Sequence, residues 1–466
     1  MPPFDPELTV EGRASVRGAP LVTARCQYTA CHVRYSQVGA MKKKFLFVGW
    51  ESLSGNLAWQ LTKEGHDVKM YFKSPEDRDV YDGFVEKVDD WKQHADWADV
   101  MVFDDVGFGS HTDSLRKAGK LVVGGSTYAD KLEEDREFGQ AEMKRVGMLT
   151  LPHWDFDSFD AAIEFLRANP GRYVWKPSGN TASDAKGLLF LGAEEDGKDI
   201  IEVLEHNKGA WGKKIKRFQL QKYAAGVEVA VGAFFNGDDF IYPINVNFEH
   251  KKLFPGDIGP YTGEMGTLMY WCPPNTIFNL TLAKMKEDLK KSGYVGYVDV
   301  NCIANARGVY PLEFTCRFGY PTIEVQIEGV QSPWGEFLVA LANKQSYELK
   351  VKKGFQIGVV VAVPPFPYDD KTEFEIYRDL SILFRKQTLE GVHLGDVKLV
   401  DGDWRIAGES GYALVVTGSA VTVQEARQQV QNRLNNILLQ NMFYRTDIGE
   451  RWNQDSDKLQ MWGYLY

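Results

Sequence analysis

The sequence predicts a multidomain protein of mixed α/β and α+β class: a parallel-sheet domain first, an α+β middle region, then a small α+β C-terminal domain. Three observations carry this expectation. The chain has 466 residues, too many for one core and enough for about three or four compact units. Short apolar strands alternate with helical stretches over residues 41–126, the signature of a parallel sheet covered on both faces. Beyond that point strands follow one another across turns such as Asn236-Gly237-Asp238-Asp239, which is hairpin chemistry.

Taken in order, residues 1–40 show no helix or strand period. Arg13, Arg17, Arg25 and Arg34 with few acids resemble a targeting segment, but the segment reads more simply as an unstructured tail, with Met41 as the start of the folded protein. Cys26, Cys31 and His32 within it have no second ligand pair, so a sparse tail is preferred over a metal cluster. The N-terminal domain, 41–126, has strands at Phe45 to Val48, Asp67 to Tyr71, Met101 to Phe103 and Leu121 to Val123, with a helix over Asn56 to Glu64. The middle region, 127–340, opens with one charged amphipathic helix over Asp130 to Gly147. It continues with strands at Tyr173 to Lys176, Phe218 to Lys222, Glu228 to Phe235 and Phe240 to Asn245, a helix over Leu280 to Ser292, and strands at Val295 to Ala304 and Tyr310 to Phe314. The C-terminal domain, 341–466, carries a strand at Gly358 to Val363 and a Gln/Asn-rich helix over Val423 to Leu439.

Composition narrows the function class. A net charge of −10 and no basic stripe argue against a nucleic-acid partner, and no apolar run is long enough to span a bilayer. Small molecules are the expected partners; the sequence is silent on oligomeric state. Five cysteines, odd in number and without paired spacing, point to the reducing cytoplasm.

Lys176 closes a strand and leads into Pro177-Ser178-Gly179-Asn180-Thr181-Ala182-Ser183-Asp184-Ala185-Lys186-Gly187. A lysine there can reach phosphate oxygens while a Gly/Ser-rich segment offers backbone N–H groups; a surface hairpin has the same composition. Farther on, Asp299 and Glu313 lie in two apolar strands separated by a turn at Arg307-Gly308. Carboxylates on adjacent buried strands repel unless a cation lies between them, and either a divalent metal or neighbouring lysine or arginine could supply it.

Longer motifs then make a family resemblance specific. His250-Lys251-Lys252 followed by Asp257-Ile258-Gly259-Pro260-Tyr261-Thr262-Gly263-Glu264-Met265-Gly266 resembles His-Lys-Arg and Asp-x-Gly-Pro-Asn-Thr-Gly-Gly-Met-Gly of the phosphoribosylamine–glycine ligases. Glu313-Phe314-Thr315-Cys316-Arg317-Phe318-Gly319-Tyr320-Pro321 resembles their Glu-Phe-Asn-Cys-Arg-Phe-Gly-Asp-Pro, and Tyr444-Arg445-Thr446-Asp447-Ile448-Gly449 their closing Tyr-Arg-x-Asp-Ile-Gly. The likeness runs in order from about Phe45 to Trp452. It implies an ATP-grasp fold over 127–340 and an ATP-dependent ligase that joins an amino acid or other carboxylate to an amine through an acyl phosphate. The cofactors implied are ATP and Mg2+, with Mn2+ as a substitute.

By position, the resemblance assigns Arg136, Lys176, Lys186, Gln221, Lys222, Tyr223 and Glu228 to ATP, and Asp299, Glu313 and Thr315 to the metal. It assigns Asp257, Gly259, Pro260, Thr262, Gly263 and Arg317 to substrate, with Lys176 and Arg317 catalytic. Glu228, by itself, also reads as a solvated glutamate at a strand start.

Departures from the family pattern are concentrated. Its Ser-Lys-x-Phe-x-Lys is Asp135-Arg136-Glu137-Phe138-Gly139-Gln140 here, its metal-binding asparagine is Thr315, and the phosphate loop is longer. These favour, as an alternative, an ATP-binding protein of the same fold with weakened or lost catalysis. The acceptor side changes more. Gly-Ser-Gly-Gly-Arg-Glu-His of the family is Gly49-Trp50-Glu51-Ser52-Leu53-Ser54-Gly55, while Tyr261, Glu264, Tyr320 and Thr322 replace the expected residues. A changed amine acceptor is therefore expected.

Overall fold

A computed structural model describes residues 41–51, 53–178, 188–368 and 370–466; the tail, and Lys186 with the rest of its loop, lie outside them. The first strand, Lys44–Gly49, lies at the centre of a five-stranded parallel sheet, with Asp67–Phe72 and Glu86–Lys87 on one side and Val100–Phe103 and Val122–Val123 on the other. Its alternation is masked because both faces are covered: Phe45 and Phe47 pack in one core cluster, Leu46 and Val48 in another. Strand order reverses between Lys44–Gly49 and Val100–Phe103, so the crevice outside their carboxyl ends is where such a sheet holds a ligand.

The expected single helix over Asp130 to Gly147 is two, Thr127–Glu134 and Arg136–Arg145. Asp135 adopts an extended conformation and its carboxylate accepts the Phe138 N–H at 3.0 Å; a side chain that competes for backbone donors ends one helix and caps the next. Likewise Leu280 to Ser292 is not one helix. Thr276–Leu280 stops at Thr281, whose hydroxyl donates back to the Ile277 carbonyl at 2.6 Å, and a 3-10 turn precedes Lys286–Ser292. The Gln/Asn-rich helix expected over Val423 to Leu439 ends at Leu434, because Ile437–Leu438 leaves it to pair with Ser381–Phe384.

Two antiparallel sheets hold the middle of the chain. In the smaller, His153–Phe156, Arg217–Lys222, Tyr173–Ser178 and Phe190–Leu191 lie side by side, and Trp175, Phe218 and Leu220 bury one face in a core with helices Phe159–Ala168 and Lys198–Trp211. The larger has eight strands in the order Gly308–Thr315, Gly296–Asn305, Val227–Phe235, Phe240–Glu249, Gly266–Cys272, Phe355–Ala362, Tyr412–Ala420, Val392–Leu394. Its last three members come from the segment assigned to the C-terminal domain. No helix of the described residues is long and apolar enough to cross a membrane.

Candidate active site

Strand pairing decides which side chains converge. Asp299 pairs with Thr315 and Asn301 with Glu313. Because alternate residues share a face, these four oxygen-bearing side chains lie together on one side of the ladder. Val227–Phe235 continues that face, with Glu228 paired to Ile303 and Ala230 to Asn301, and Ala230 also pairs with Asn247, two residues before Glu249. In the smaller sheet, Lys176 pairs with Gln219 and Val174 with Gln221, which sets Lys176 and Gln221 on one face, joined at 2.7 Å by a hydrogen bond from the lysine Nζ to the amide oxygen.

The acids are organised around Lys251. Its Nζ lies 3.0 Å from Glu228, 3.3 Å from Glu249 and 3.5 Å from Glu313. Burial pulls the Lys251 ammonium down, but the three carboxylates outweigh it and hold its pKa well above the ordinary value. The same ion pair, with Arg136 and Lys176 helping against burial, holds Glu313 at about 2. Of the two ways to neutralise the Asp299–Glu313 pair, the described side chains thus show a lysine on Glu313, whose side chain is half exposed rather than buried.

Asp299 differs. Burial first, then the nearby Glu249 carboxylate, push it well above the carboxylate range, against a hydrogen bond with Thr315. Glu249 is raised by burial and held by a 2.7 Å bond from Asn301 Nδ2, while the buried Asn301 Oδ1 has no partner among the described residues. Glu264 is also buried and raised, by burial and then Glu249. Buried acids whose charged forms are disfavoured mark a place where a further cation would be favoured. Among the described residues, no three or more His, Cys, Asp or Glu converge on a metal position by themselves.

Across from the acids, Lys176 is pushed down to about 7, by burial and then by Arg136. Gln140, where the resemblance expects a lysine, exchanges 3.3 Å hydrogen bonds with Gln219. Lys222 is turned away: its Nζ lies 4.2 Å over the Tyr173 ring, and the alternation that brings Gln221 to Lys176 sends Lys222 to the other face. Tyr223 stacks under Arg172 at 3.5 Å.

The substrate motif splits. Asp257 has one oxygen 3.0 Å from Arg445 and the other 2.9 Å from Arg451, so it orders the hairpin Lys252–Phe254 and Ile258–Tyr261 rather than presenting free acceptors. Gly259, at φ 87°, and Pro260 shape that hairpin. Thr262 ties its end to the Lys251 carbonyl through its N–H at 2.8 Å and its hydroxyl at 3.0 Å, and an added Cβ at Gly263 would meet nothing. Arg317 donates from Nε to Glu133 at 2.9 Å and lies 3.7 Å from Asp105, which places it between the acid ladder and the switch-point crevice.

Sequence reasoning missed Lys251, Glu249, Asn301 and the crevice acids Asp104 and Asp105. Two of them carry a local signal: Asn301 stands two residues from Asp299 in the same strand, and Lys251 lies within the His-Lys-Lys motif, where the resemblance gives it no role.

Residues 134–323 match the phosphoribosylglycinamide synthetase ATP-grasp (A) domain and residues 356–451 its C domain. A phosphoribosylamine–glycine ligase of Streptococcus pneumoniae is 26% identical over 353 residues, 73% of this chain and 80% of that protein. One from Listeria monocytogenes is 26% identical over 352 residues, with the same shares. Among solved structures, phosphoribosylamine–glycine ligase of Thermotoga maritima superposes with a TM-score of 0.67 at 21% identity, over 87% of this chain and all of the other. N5-carboxyaminoimidazole synthetase of Staphylococcus aureus with ADP gives 0.53 at 15% identity, over 85% and 98%.

Proposed function

The chain belongs to the phosphoribosylglycinamide synthetase family of ATP-grasp ligases, and from that premise we propose that it uses ATP to join a carboxylate to an amine, with an acceptor different from that of its relatives. The observation that carries this reading is the facing of two charge sets. Asp299, Asn301, Glu313 and Thr315 offer oxygens from one sheet face, and Lys176, Arg136 and Lys251 carry the positive charge acting on Glu313.

In the reaction, a carboxylate oxygen attacks the γ-phosphorus of ATP, the β–γ bridging bond breaks and ADP leaves. The amine, as free base, then attacks the acyl carbon; the C–N bond forms, inorganic phosphate leaves and the nitrogen loses its extra proton. Lys176 and Arg136 hold phosphate oxygens, Gln221 and Tyr223 border the nucleoside, Glu228 takes the ribose hydroxyls, and Arg317 orients the carboxylate substrate. The protein's part is mainly positioning and charge neutralisation.

The residues fit Mg2+, a hard cation that takes few carboxylates and leaves its other positions to phosphate and water. Asp299, Glu313 and Thr315 would hold it, and the unpartnered buried Asn301 Oδ1 faces the same side. When bound it neutralises phosphate charge during transfer. The described cysteines, Cys272, Cys302 and Cys316, are free, which supports a cytoplasmic setting. The Gln140–Gln219 amide pair, where a phosphate lysine is expected, favours a second reading, nucleotide binding with weakened catalysis. Acceptor-dependent ADP release separates the two: a binding protein binds ATP and releases no ADP.

A further inference from the structure

Two strands end at the switch point of the parallel sheet, and the residues after each are unusual for a ligand crevice. After Lys44–Gly49 the chain reaches Ser54, the N-cap of helix Gly55–Lys63. The first turn of such a helix offers bare N–H groups and a positive dipole end, the natural seat for a phosphate. Here a carboxylate already stands beside the cap residue of that turn. Asp104, the residue after Val100–Phe103, accepts the Ser54 N–H at 3.1 Å and the Ser54 hydroxyl at 2.6 Å on one carboxylate oxygen. Its other oxygen is buried against Gly49, where an added Cβ would lie 2.4 Å from it.

Packing fixes the start of the helix. Asn56, one position into the helix, meets His393 at 2.8 Å and accepts the Leu394 N–H at 3.2 Å, and the Tyr81 ring fills the space beside Gly55 to within 1.7 Å of where a Cβ would stand. Across the crevice, Trp50 Nε1 donates to the Val106 carbonyl at 3.0 Å, so the indole bridges the two strand ends. The charges around it are mostly negative. Asp105 is raised to about 6 by burial, against Arg317 and with Glu133 and Glu51 adding to the rise. Of the nearby cations, Arg317 is taken by Glu133 and Asp105, and Lys73 lies 3.4 Å over the Trp50 ring.

We propose that the acceptor amine of this ligase carries no phosphate, and that Asp104 is the specificity-determining residue that enforces this by occupying the anion seat at the helix N-terminus. The inference rests on the ligase reading above and names its acceptor class. Burial raises Asp104 to about 7, against the bonds from Ser54, so above that pH a phosphorylated acceptor would have to displace a carboxylate from Ser54 and stand among Glu51, Asp104 and Asp105, whereas an uncharged or cationic amine meets no such repulsion.

The test uses the full chain with ATP, magnesium, glycine and two acceptors differing only in phosphate: 5-phosphoribosylamine, formed in the assay from ammonia and ribose 5-phosphate, and ribosylamine, formed from ammonia and ribose. ADP release with ribosylamine at least about tenfold above that with the phosphorylated amine supports the proposal; equal or faster release with the phosphorylated amine overturns it. Where neither acceptor, nor any other amine, releases ADP, the ligase reading fails and a binding arm still decides the role of Asp104. Asp104→Ala, which frees Ser54, is expected to bind ribose 5-phosphate at least about tenfold more tightly than wild type with ATP affinity unchanged. Asp104→Asn, which removes the charge and keeps the acceptor for Ser54, should gain less. Equal ribose 5-phosphate affinity in wild type and Asp104→Ala overturns the proposal.

Discussion

The regions proposed to hold the nucleotide and the acceptor solve opposite electrostatic problems. In the first, Lys251 touches three carboxylates, and among the described residues the buried Lys176 has Gln221 as its hydrogen-bond partner. In the second, Ser54 is bonded to Asp104 and Arg317 to Glu133. On the proposed reading, the first region gathers both signs of charge for a polyanion and a metal. On the same reading, the second has no place for an anion. Each half can be broken separately, and the contrast predicts which changes reach the chemistry.

The largest effect is expected from the acid ladder. Glu313→Ala should lower ADP release by a factor of about 100 or more, about 2.7 kcal/mol of transition-state stabilisation, with Asp299→Ala close behind; near-normal turnover in both variants would remove the metal assignment. Lys176→Ala should raise the ATP concentration for half-maximal rate about 10- to 100-fold, as the loss of a charge-assisted phosphate contact of about 1.5 to 3 kcal/mol. Unchanged ATP affinity would move the phosphate site elsewhere.

Lys251→Met leaves three carboxylates without their common cation. A fully buried pair broken in this way costs about 3 to 5 kcal/mol; with Lys251 about a quarter exposed, a loss of about 2 kcal/mol is expected, read as a lowered melting temperature that magnesium partly restores. An unchanged melting temperature would show that the cluster is solvated.

The smallest effect is in pH. Lys176 in the free protein lies near 7, and nucleotide phosphates favour its ammonium form, so ATP binding takes up a proton. ATP affinity should be full below about pH 7 and fall by up to about tenfold per unit above it. In Lys176→Arg the profile should be flat; a wild-type profile that is also flat would mean Lys176 does not meet the phosphates.

Legibility in the sequence divides along the same line. The strands bearing Lys176, Asp299 and Glu313 are visible there because their apolar runs and turn residues are local signals, and the ordered motifs place them in a family. Glu313 is expected buried and is half exposed, because its strand is the edge of the eight-stranded sheet. Asp135 breaks a predicted helix because one carboxylate captures an amide, an event below the resolution of periodicity. Asp104 leaves no trace: its partner Ser54 lies 50 residues away, and only the fold brings strand ends together. Substitutions at the crevice can be read from the sequence as changes, but the group that fills the seat cannot.

The measurement that tests the ligase reading most directly tracks oxygen. Glycine, or the best carboxylate from an acceptor screen, is labelled with 18O in its carboxylate and turned over with ATP, magnesium and the preferred amine. The acyl-phosphate route predicts one 18O in each inorganic phosphate released, one ADP per product, and a product whose mass is the sum of carboxylate and amine less one water. Phosphate released without label, or ATP bound with no ADP formed in the presence of any carboxylate and amine, would contradict it.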